Sequence, residues 1–403
     1  MAKLFVNGGI GNACLHCLKT WSSCEILSVS TLQTQVVRTL MRPVGKETGG
    51  QVSKNNTGLK AIDLVQRERE SKVKSKSRKI PKTDNFKETH TAVSPVQHRV
   101  SQLKQLSQQL QNVHPNVLAK ALHKSIIFQN QDVIAINKPY GVPLHDSTDA
   151  TTSIKNVLPV LAKMVHGMRT ETRLHICHSL DKDTTGTLLL AQTEEAADHI
   201  HSLFKALQME RKYWAVVVGV PVPSEGVVDI PVIEREVTGA QPHFKMGLSP
   251  LFRTSDNGEG VTRVRANRSA RSAVTNYRVL DSTHGCSLVE LQPITAVKHQ
   301  LRVHMAFALG CPILGDHKYA HWNKLAPQQL PEGVLRRLGL EQSKARHLPL
   351  HLHHRQLTVP GFRGHRELIV SSRLPRFLTS TLQRLHISLP DKNGTETDIQ
   401  THQ

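Results

Sequence analysis

The chain has 403 residues, which is enough for two or three domains or for one large domain with tails. Its formal charge of +20 indicates a polyanionic partner, most commonly a nucleic acid, and the alternative is a basic tail that only keeps the protein in solution. No run of about 18 apolar residues is present, which excludes a transmembrane helix. The six cysteines show no spacing typical of a disulfide framework, so a reducing compartment is expected.

The N-terminal part of the chain has the composition of targeting and linker sequence. Residues 1–45 contain one acidic residue, Glu25, among basic residues and many serines and threonines. This composition predicts a mitochondrial presequence and a mature protein in the mitochondrial matrix, with an unstructured tail as the alternative. Cys14 and Cys17 form a lone CxxC, which without a second pair is weak evidence for zinc or redox use. Residues 46–99 are predicted to be a basic disordered linker that either touches RNA phosphates or is only solvated.

The rest of the chain shows alternating helix and strand patterns. Residues 100–124 are predicted to be a lead-in helical segment, residues 125–385 one main domain and residues 386–403 a disordered tail. Helices are expected at 154–165, after a Thr193 cap and at 298–309, and strands on either side of 129–132 and at 211–219, 274–280, 288–292 and 351–359. Residues 233–272 are expected to be basic loops. The irregular alternation predicts an α+β fold in which helices flank a mixed sheet.

One loop carries the strongest indication of chemistry. Asp181 lies in the run HSLDKDTTG at 178–186, and the apolar run LLLA at 188–191 follows almost directly. A carboxylate in a loop at the edge of a buried strand can face a substrate and act as a nucleophile or a general base. Taken alone, the same residues are also those of an ordinary turn. The rest of the chain therefore decides between the two interpretations.

Read as HxLDxxTTGxLLLA, this run resembles the catalytic signature of the RluA-type RNA pseudouridine synthases. Four further segments resemble motifs of that family in the family's order, at Val133–Pro139, Arg211–Ala215, Ala273–Leu280, and His299–His304 followed by Pro312–Asp316. The resemblance implies a pseudouridine synthase fold, with a mixed, mostly antiparallel sheet and an active-site cleft across it. It makes residues 125–385 a catalytic domain that acts on RNA without a cofactor.

The resemblance assigns three catalytic residues. Asp181 acts on the ribose, and whether it bonds to the sugar, adds to the base or abstracts a proton stays open. Arg302 supplies the opposing guanidinium that favours an ionised carboxylate. Tyr213 stacks on the target base and helps to remove the C5 proton. Without the other motifs, Arg302 would be interpreted as an exposed helix arginine and Tyr213 as a half-buried strand tyrosine.

A second set of residues is expected to bind substrate, and it includes two departures from the family pattern. Ser179 stands where the family usually has the arginine that fills the gap left by the flipped nucleotide, and Lys182 is the nearby basic residue able to replace it. A family arginine before the HQLRVH segment is also missing, and Lys298 supplies its charge one place later. Thr184 and His299 complete the predicted substrate-binding set.

A histidine-rich run lies in the last predicted strand. Alternation along a strand would bring His351 and His353 together, as in a metal site, but no cluster of cysteines or carboxylates accompanies them. We therefore expect RNA-facing or surface histidines, and no metal.

The resemblance extends to mitochondrial members of the family. It implies an isomerase that converts uridine to pseudouridine in mitochondrial RNA, with large-subunit ribosomal RNA as the leading substrate and transfer or messenger RNA as others. It also implies a link to mitochondrial ribosome assembly factors and to translation. The serine at position 179 motivates an alternative, an RNA-binding assembly factor with weak or lost catalysis. A DNA-binding regulator has little support, because no helix-turn-helix or zinc-finger spacing is present.

Overall fold

The centre of the fold is a ten-stranded sheet, in a computed structural model that describes residues 94–110, 112–146, 152–169, 171–238, 242–254, 261–265, 267–361 and 367–390. All of these described residues belong to one compact unit. In chain order the strands are β1 (Ile126–Gln129), β2 (Val133–Lys138), β3 (His175–Ile176), β4 (Thr185–Ala191), β5 (Glu210–Val218), β6 (Glu225–Asp229), β7 (Val232–Val237), β8 (His243–Leu248), β9 (Phe252–Thr254), β10 (Val261–Arg263), β11 (Val274–Thr283), β12 (Cys286–Pro293), β13 (Leu352–Pro360) and β14 (Glu367–Ser371).

The order of the strands in the main sheet differs from their order in the chain. Eight strands follow the order β1-β2-β4-β13-β5-β12-β11-β6, while β3 pairs with β4 and β14 pairs with β13. The pairing of β4 with β13 is parallel, and the other pairs of this sheet are antiparallel. The predicted mixed, mostly antiparallel sheet is therefore confirmed. Two smaller sheets, β7 with β8 and β9 with β10, stand apart from it.

Helices cover the sheet. In the part of the chain that is described, they are α1 (Pro95–Gln108), α2 (Pro115–Lys124), α3 (Ile154–His166), α4 (Glu194–Lys205), α5 (Gln300–Val303), α6 (Glu332–Leu338) and α7 (Arg376–Leu385). A π-helical turn, His304–Ala308, continues α5, and a 3₁₀ helix spans Gln342–His347. Thr193 caps α4 as predicted, because its hydroxyl accepts a hydrogen bond from the Ala196 amide at 3.2 Å.

The central strands are apolar on both faces, which explains why helices lie on both sides. On β5, Ala215 and Val217 pack in the same core as α2 and α3, whereas Trp214 and Val216 pack in the core of α6 and α7. On β4, Leu189 belongs to a third core with α4. A strand buried on both faces reads as a continuous apolar run, and every residue of β4 is buried.

Three expectations differ from the observed elements. The helix predicted at 298–309 is a four-residue α-helix followed by a π-helical turn. It begins only at Gln300, because His299 adopts a left-handed backbone conformation (φ 57°) that a right-handed helix does not contain. The predicted loops at 233–272 contain the strands β7 to β10. The lead-in segment consists of two helices, and the first begins at Pro95 rather than at residue 100. The predicted presequence, the linker up to residue 93, the Cys14–Cys17 pair and the tail from residue 391 lie outside the described residues.

Candidate active site

The loop between β3 and β4 places Asp181 at one end of a cleft. Within the loop, the Thr184 amide donates to the Asp181 carbonyl at 3.0 Å, which closes a turn. The Gly141 amide donates to the Lys182 carbonyl at 3.1 Å and ties the loop to the segment after β2. The Asp181 side chain is 31% exposed, so the carboxylate is partly accessible from the cleft.

Lys138, the last residue of β2, holds the backbone of this loop through hydrogen bonds to its carbonyls. Its side chain is fully buried, and its ammonium donates to the carbonyls of Pro139, Lys182 and Thr184 at 3.2, 2.8 and 2.9 Å. Burial lowers the pKa of Lys138 to about 7, against the opposing effect of Asp183 and Asp181. In the protonated form all three ammonium hydrogens have an acceptor, so the lysine can hold the loop.

The guanidinium of Arg302 lies between two carboxylates. Its Nε and Nη2 donate to Asp316 at 2.8 and 2.7 Å, in a bidentate pair that is almost fully buried. Its Nη1 lies 3.6 Å from Asp181 Oδ2. Burial would lower the pKa of Arg302, but Asp316 and then Asp181 raise it above its ordinary value. Asp316 thus orients a permanently charged group toward Asp181.

His299 approaches Asp181 from the same side. Its Nε2 lies 3.7 Å from Asp181 Oδ2, and its Nδ1 lies 2.5 Å from the Tyr319 hydroxyl. Burial lowers the pKa of His299 to about 4 and raises the pKa of Tyr319, so a neutral imidazole meets a protonated phenol. The hydroxyl also accepts the Met246 amide at 3.3 Å, so its own hydrogen goes to Nδ1. The imidazole hydrogen then lies on Nε2, facing Asp181.

Tyr213 lies on β5 and is 7% exposed. Its ring stacks on His354 of β13, with centroids 4.4 Å apart and planes inclined by 14°. Burial raises the pKa of Tyr213 to about 12, and the charge of Asp181 acts in the same direction. The hydroxyl therefore stays protonated near neutral pH. One face of the ring is covered by His354.

The cleft has a volume of about 690 Å³, within the range of roughly 300–1,000 Å³ that is usual for ligand pockets. Four predicted site residues contribute to its wall: Asp181, Lys182, His299 and Arg302. Tyr213 and Thr184 do not line it; Thr184 is buried, and its carbonyl is one of the Lys138 acceptors. The structure thus brings the carboxylate, the guanidinium and the imidazole together in one cavity.

Besides Thr184, two predicted substrate-binding residues lie outside this cavity wall. Ser179 is exposed in the same loop as Asp181. Lys298 is exposed and forms an ion pair with Glu234 of β7 at 2.9 Å. Their roles toward RNA stay predictions, as do those of the other predicted site residues.

The expectation of surface histidines at 351–354 is wrong. His351, His353 and His354 are at most 1% exposed, because β13 lies in the middle of the sheet and is covered on both faces. Each ring has a polar partner: His351 contacts Thr381, His353 contacts Thr185, and His354 donates to the Thr187 carbonyl. Among the described residues, no group of three or more histidines, cysteines or carboxylates could hold a metal ion.

The sequence interpretation gave no role to three residues that the structure places around the carboxylate: Lys138, Asp316 and Tyr319. A lysine at the end of an apolar strand run was the available signal for Lys138, since a buried lysine requires partners. Asp316 ends the Pro312–Asp316 motif, but the sequence of the motif does not show that Asp316 contacts Arg302 or that Tyr319 contacts His299.

These features define a class of protein. The family model for RNA pseudouridylate synthases matches residues 132–307, and the match spans Asp181, Tyr213 and Arg302. The chain belongs to this family, and it is an RNA pseudouridine synthase, an isomerase whose substrate is RNA.

Particular relatives show where in the family it lies. A Danio rerio protein named Pseudouridylate synthase RPUSD4, mitochondrial, is 59% identical over 340 residues, which cover 84% of this chain and 92% of that protein. The Homo sapiens protein of the same name is 48% identical over 342 residues, covering 85% and 88%. The solved structure of Human RNA Pseudouridylate Synthase Domain Containing 4 is 51% identical, with a TM-score of 0.62, over 69% of this chain and 98% of that one. Both named relatives are mitochondrial, which supports a mitochondrial location here. None of the described helices is long and apolar enough to cross a bilayer.

Proposed function

We propose that this protein converts uridine to pseudouridine in mitochondrial RNA within the matrix, with large-subunit ribosomal RNA as the main substrate and transfer and messenger RNA as further candidates. Through this modification it supports mitochondrial ribosome assembly and translation. The observation that carries the proposal is Asp181, partly exposed in a cleft and 3.6 Å from the guanidinium of a buried arginine. The acid-poor N-terminus and the net charge of +20 support import and RNA binding.

The reaction breaks the N1–C1′ bond of uridine, turns the base and joins C5 to C1′; N1 gains a proton and C5 loses one. Asp181 acts on the nucleoside as nucleophile or base, while Arg302 and the Nε2–H of His299 hold its charge in a defined position. Asp316 fixes the guanidinium, so little reorganisation is needed when charge moves during the reaction. Tyr213 lies outside the cavity wall, protonated and stacked on His354, and in this proposal its ring reaches the uracil once RNA occupies the cleft.

A second function has one observation in its favour. Ser179 is exposed where the family usually carries an arginine, so the chain lacks that side chain for the gap left by a flipped nucleotide. This favours an RNA-binding ribosome-assembly factor with weak catalysis. The intact arrangement of Asp181, Arg302 and Asp316 favours the enzyme, because a binding factor has no need of a buried guanidinium aimed at an exposed carboxylate.

The test is to map pseudouridine in mitochondrial RNA from cells that lack the endogenous protein and express wild type, Asp181→Asn or Asp198→Asn at matched levels. Asp198 is exposed on α4, so its variant has the same charge change away from the cleft. We expect wild type and Asp198→Asn to restore the same pseudouridines, and Asp181→Asn to restore none while still binding RNA. The restored positions then identify the substrate RNA.

Two outcomes would overturn the proposal. Identical pseudouridine maps with and without the protein, together with a ribosome defect that Asp181→Asn repairs, would establish the assembly factor. Pseudouridines that appear only in RNA outside mitochondria would refute the location.

A further inference from the structure

The catalytic cleft extends to elements that lie outside the family match. Ser107 of α1 and Arg346 and His347 of the 3₁₀ helix line the same cavity as Asp181 and Arg302. The family model ends at residue 307 and begins at residue 132, so this wall of the cleft is built from chain segments on either side of it. The cavity wall therefore combines Asp181 and Arg302 with side chains from α1 and the 3₁₀ helix.

This surface is strongly basic. Lys104 on α1, Lys344 and Arg346 on the 3₁₀ helix are exposed, and His347 between them is half-buried. We call these four residues the basic rim. None of them forms an ion pair with a described carboxylate. Burial lowers the pKa of His347, and the charges of Lys104, Arg346 and Lys344 lower it further. Cations on α1 and on the 3₁₀ helix therefore both affect this one imidazole.

Such an arrangement is unfavourable in the free protein. Like charges that converge without an intervening carboxylate repel one another, and folding gains nothing from placing them together. A polyanion that binds between them removes the repulsion and releases its own counterions. Arg346 and His347 of the basic rim line the cavity that contains Asp181, and Lys104 and Lys344 act on His347 beside it. This position selects the polyanion: an RNA strand whose uridine is at Asp181 continues along that wall.

We infer that the basic rim binds the phosphates of the RNA strand that flanks the target uridine, and that it supplies part of the RNA affinity that the serine at position 179 does not. The inference rests on the proposed function, since it assumes that RNA enters the cleft. The basic rim contributes to binding and not to the reaction itself, because none of its residues contacts the carboxylate or its partners.

The test compares two triple variants of the purified full-length protein that lose the same charge. The rim variant is Lys104→Gln, Lys344→Gln and Arg346→Gln; the control is Lys120→Gln, Lys124→Gln and Lys163→Gln, three exposed lysines on α2 and α3 that do not line the cleft. The probe is an unmodified transcript of mitochondrial large-subunit ribosomal RNA labelled with tritium at uridine C5. The dissociation constant is measured over a series of salt concentrations, and tritium release is measured under single-turnover conditions.

For the rim variant we expect at least a tenfold rise in the dissociation constant, and a salt dependence shallower by about 2, since each phosphate contact on single strands contributes about 0.7. Its single-turnover rate at saturating RNA should equal that of wild type. The control should change both binding quantities far less. Equal changes in the two variants would overturn the inference, because net charge would then explain them.

The same experiment separates this inference from the proposed function. If wild type binds the transcript and releases no tritium from any mitochondrial RNA, the proposed activity fails while the comparison of the two variants still tests the basic rim. If the rim variant binds RNA normally but loses binding to a protein partner from mitochondria, the surface belongs to an acidic protein and the inference is wrong.

Discussion

At the scale of single residues, the site depends on one guanidinium shared by two carboxylates. Asp316 takes two of the Arg302 nitrogens, and it also accepts the amides of Lys318 and Tyr319 at 3.2 and 3.0 Å. Burial alone would raise the pKa of Asp316, but Arg302 holds it below the ordinary value. The third nitrogen remains for Asp181, so the strong buried pair determines where the weaker contact with Asp181 lies.

Asp316→Asn should therefore destabilise the protein by about 3–5 kcal/mol, because it leaves a buried guanidinium without its counter-charge. The free energy of unfolding, measured by urea denaturation, tests this. The control is Glu332→Gln, which removes the exposed Arg336–Glu332 pair and should change stability hardly at all. Similar losses in the two variants would show that the buried pair is not what holds this part of the site.

Sequence alone pointed to Asp181 and Arg302 because their motifs are local and ordered along the chain, and the structure brings the two side chains within 3.6 Å; their catalytic roles stay predictions. It could not identify Lys138 as the residue that holds the loop, since its acceptors on Lys182 and Thr184 lie 44 and 46 residues away. The burial of the histidines at 351–354 was missed for a related reason. A histidine in a strand faces solvent or core according to that strand's neighbours, and β13 pairs with strands far from it in sequence.

At the scale of elements, the parallel pairing of β4 with β13 depends on a glycine. Gly186 has a φ of +111°, and a Cβ placed on it would lie 2.7 Å from the His354 amide nitrogen and closer still to its carbonyl oxygen. A side chain there would force the two strands apart, directly after the loop that carries Asp181. The glycine of the TTG motif is thus required by the sheet.

Gly186→Ala should lower the free energy of unfolding by more than about 3 kcal/mol, because backbone strain and overpacking act together. Gly167→Ala is the matched control: φ is +93° at that position, but nothing lies within 4 Å of the added Cβ, so only the strain of about 1 kcal/mol applies. Urea denaturation of both variants gives the comparison. A smaller loss for Gly186→Ala than for Gly167→Ala would rule out the close approach of the two strands.

The elements also show which features the sequence pattern predicts and which it misses. Period and capping predicted α3, α4, β4 and β5 well, because each buries a regular apolar face or run. The same approach overextended the helix at 298–309. Helix α5 begins at the left-handed His299, and the side-chain Nε2 of Gln300 donates to the Val274 carbonyl of β11 at 2.8 Å. The helical periodicity of a sequence does not reveal such contacts.

At the scale of the whole molecule, the fold buries many neutral imidazoles. Among the described residues, the pKa falls most where burial is most complete: to about 4 for His299, His304 and His351, to about 3 for His178 and His353, and well below the ordinary value for His354. In the unfolded chain these groups take up protons below about pH 6.5. The unfolded state then binds more protons than the folded state. The stability that these histidines contribute is therefore fully present above that pH and is lost as the pH falls.

We therefore expect the urea midpoint to fall steeply between pH 6.5 and 5, with each buried histidine contributing up to about 1.4 kcal/mol per pH unit. Replacing His353 with Asn should make this fall shallower, whereas replacing the exposed His98 should leave it unchanged. A midpoint that stays constant to pH 5 would contradict the prediction.

The position of β13 between β4 and β5 determines when the main sheet can be completed during synthesis. This strand lies between β4 and β5, yet it emerges from the ribosome about 135 residues after β5 ends, as the bounds Glu210–Val218 and Leu352–Pro360 show. Until then, the strands on its two sides present two open edges with unpaired backbone groups. A premature stop codon after the last catalytic motif but before residue 352 would give a product that retains Asp181, Tyr213 and Arg302 and still lacks the strand that joins them. Such a product should be bound by chaperones or degraded rather than persist as a shortened enzyme.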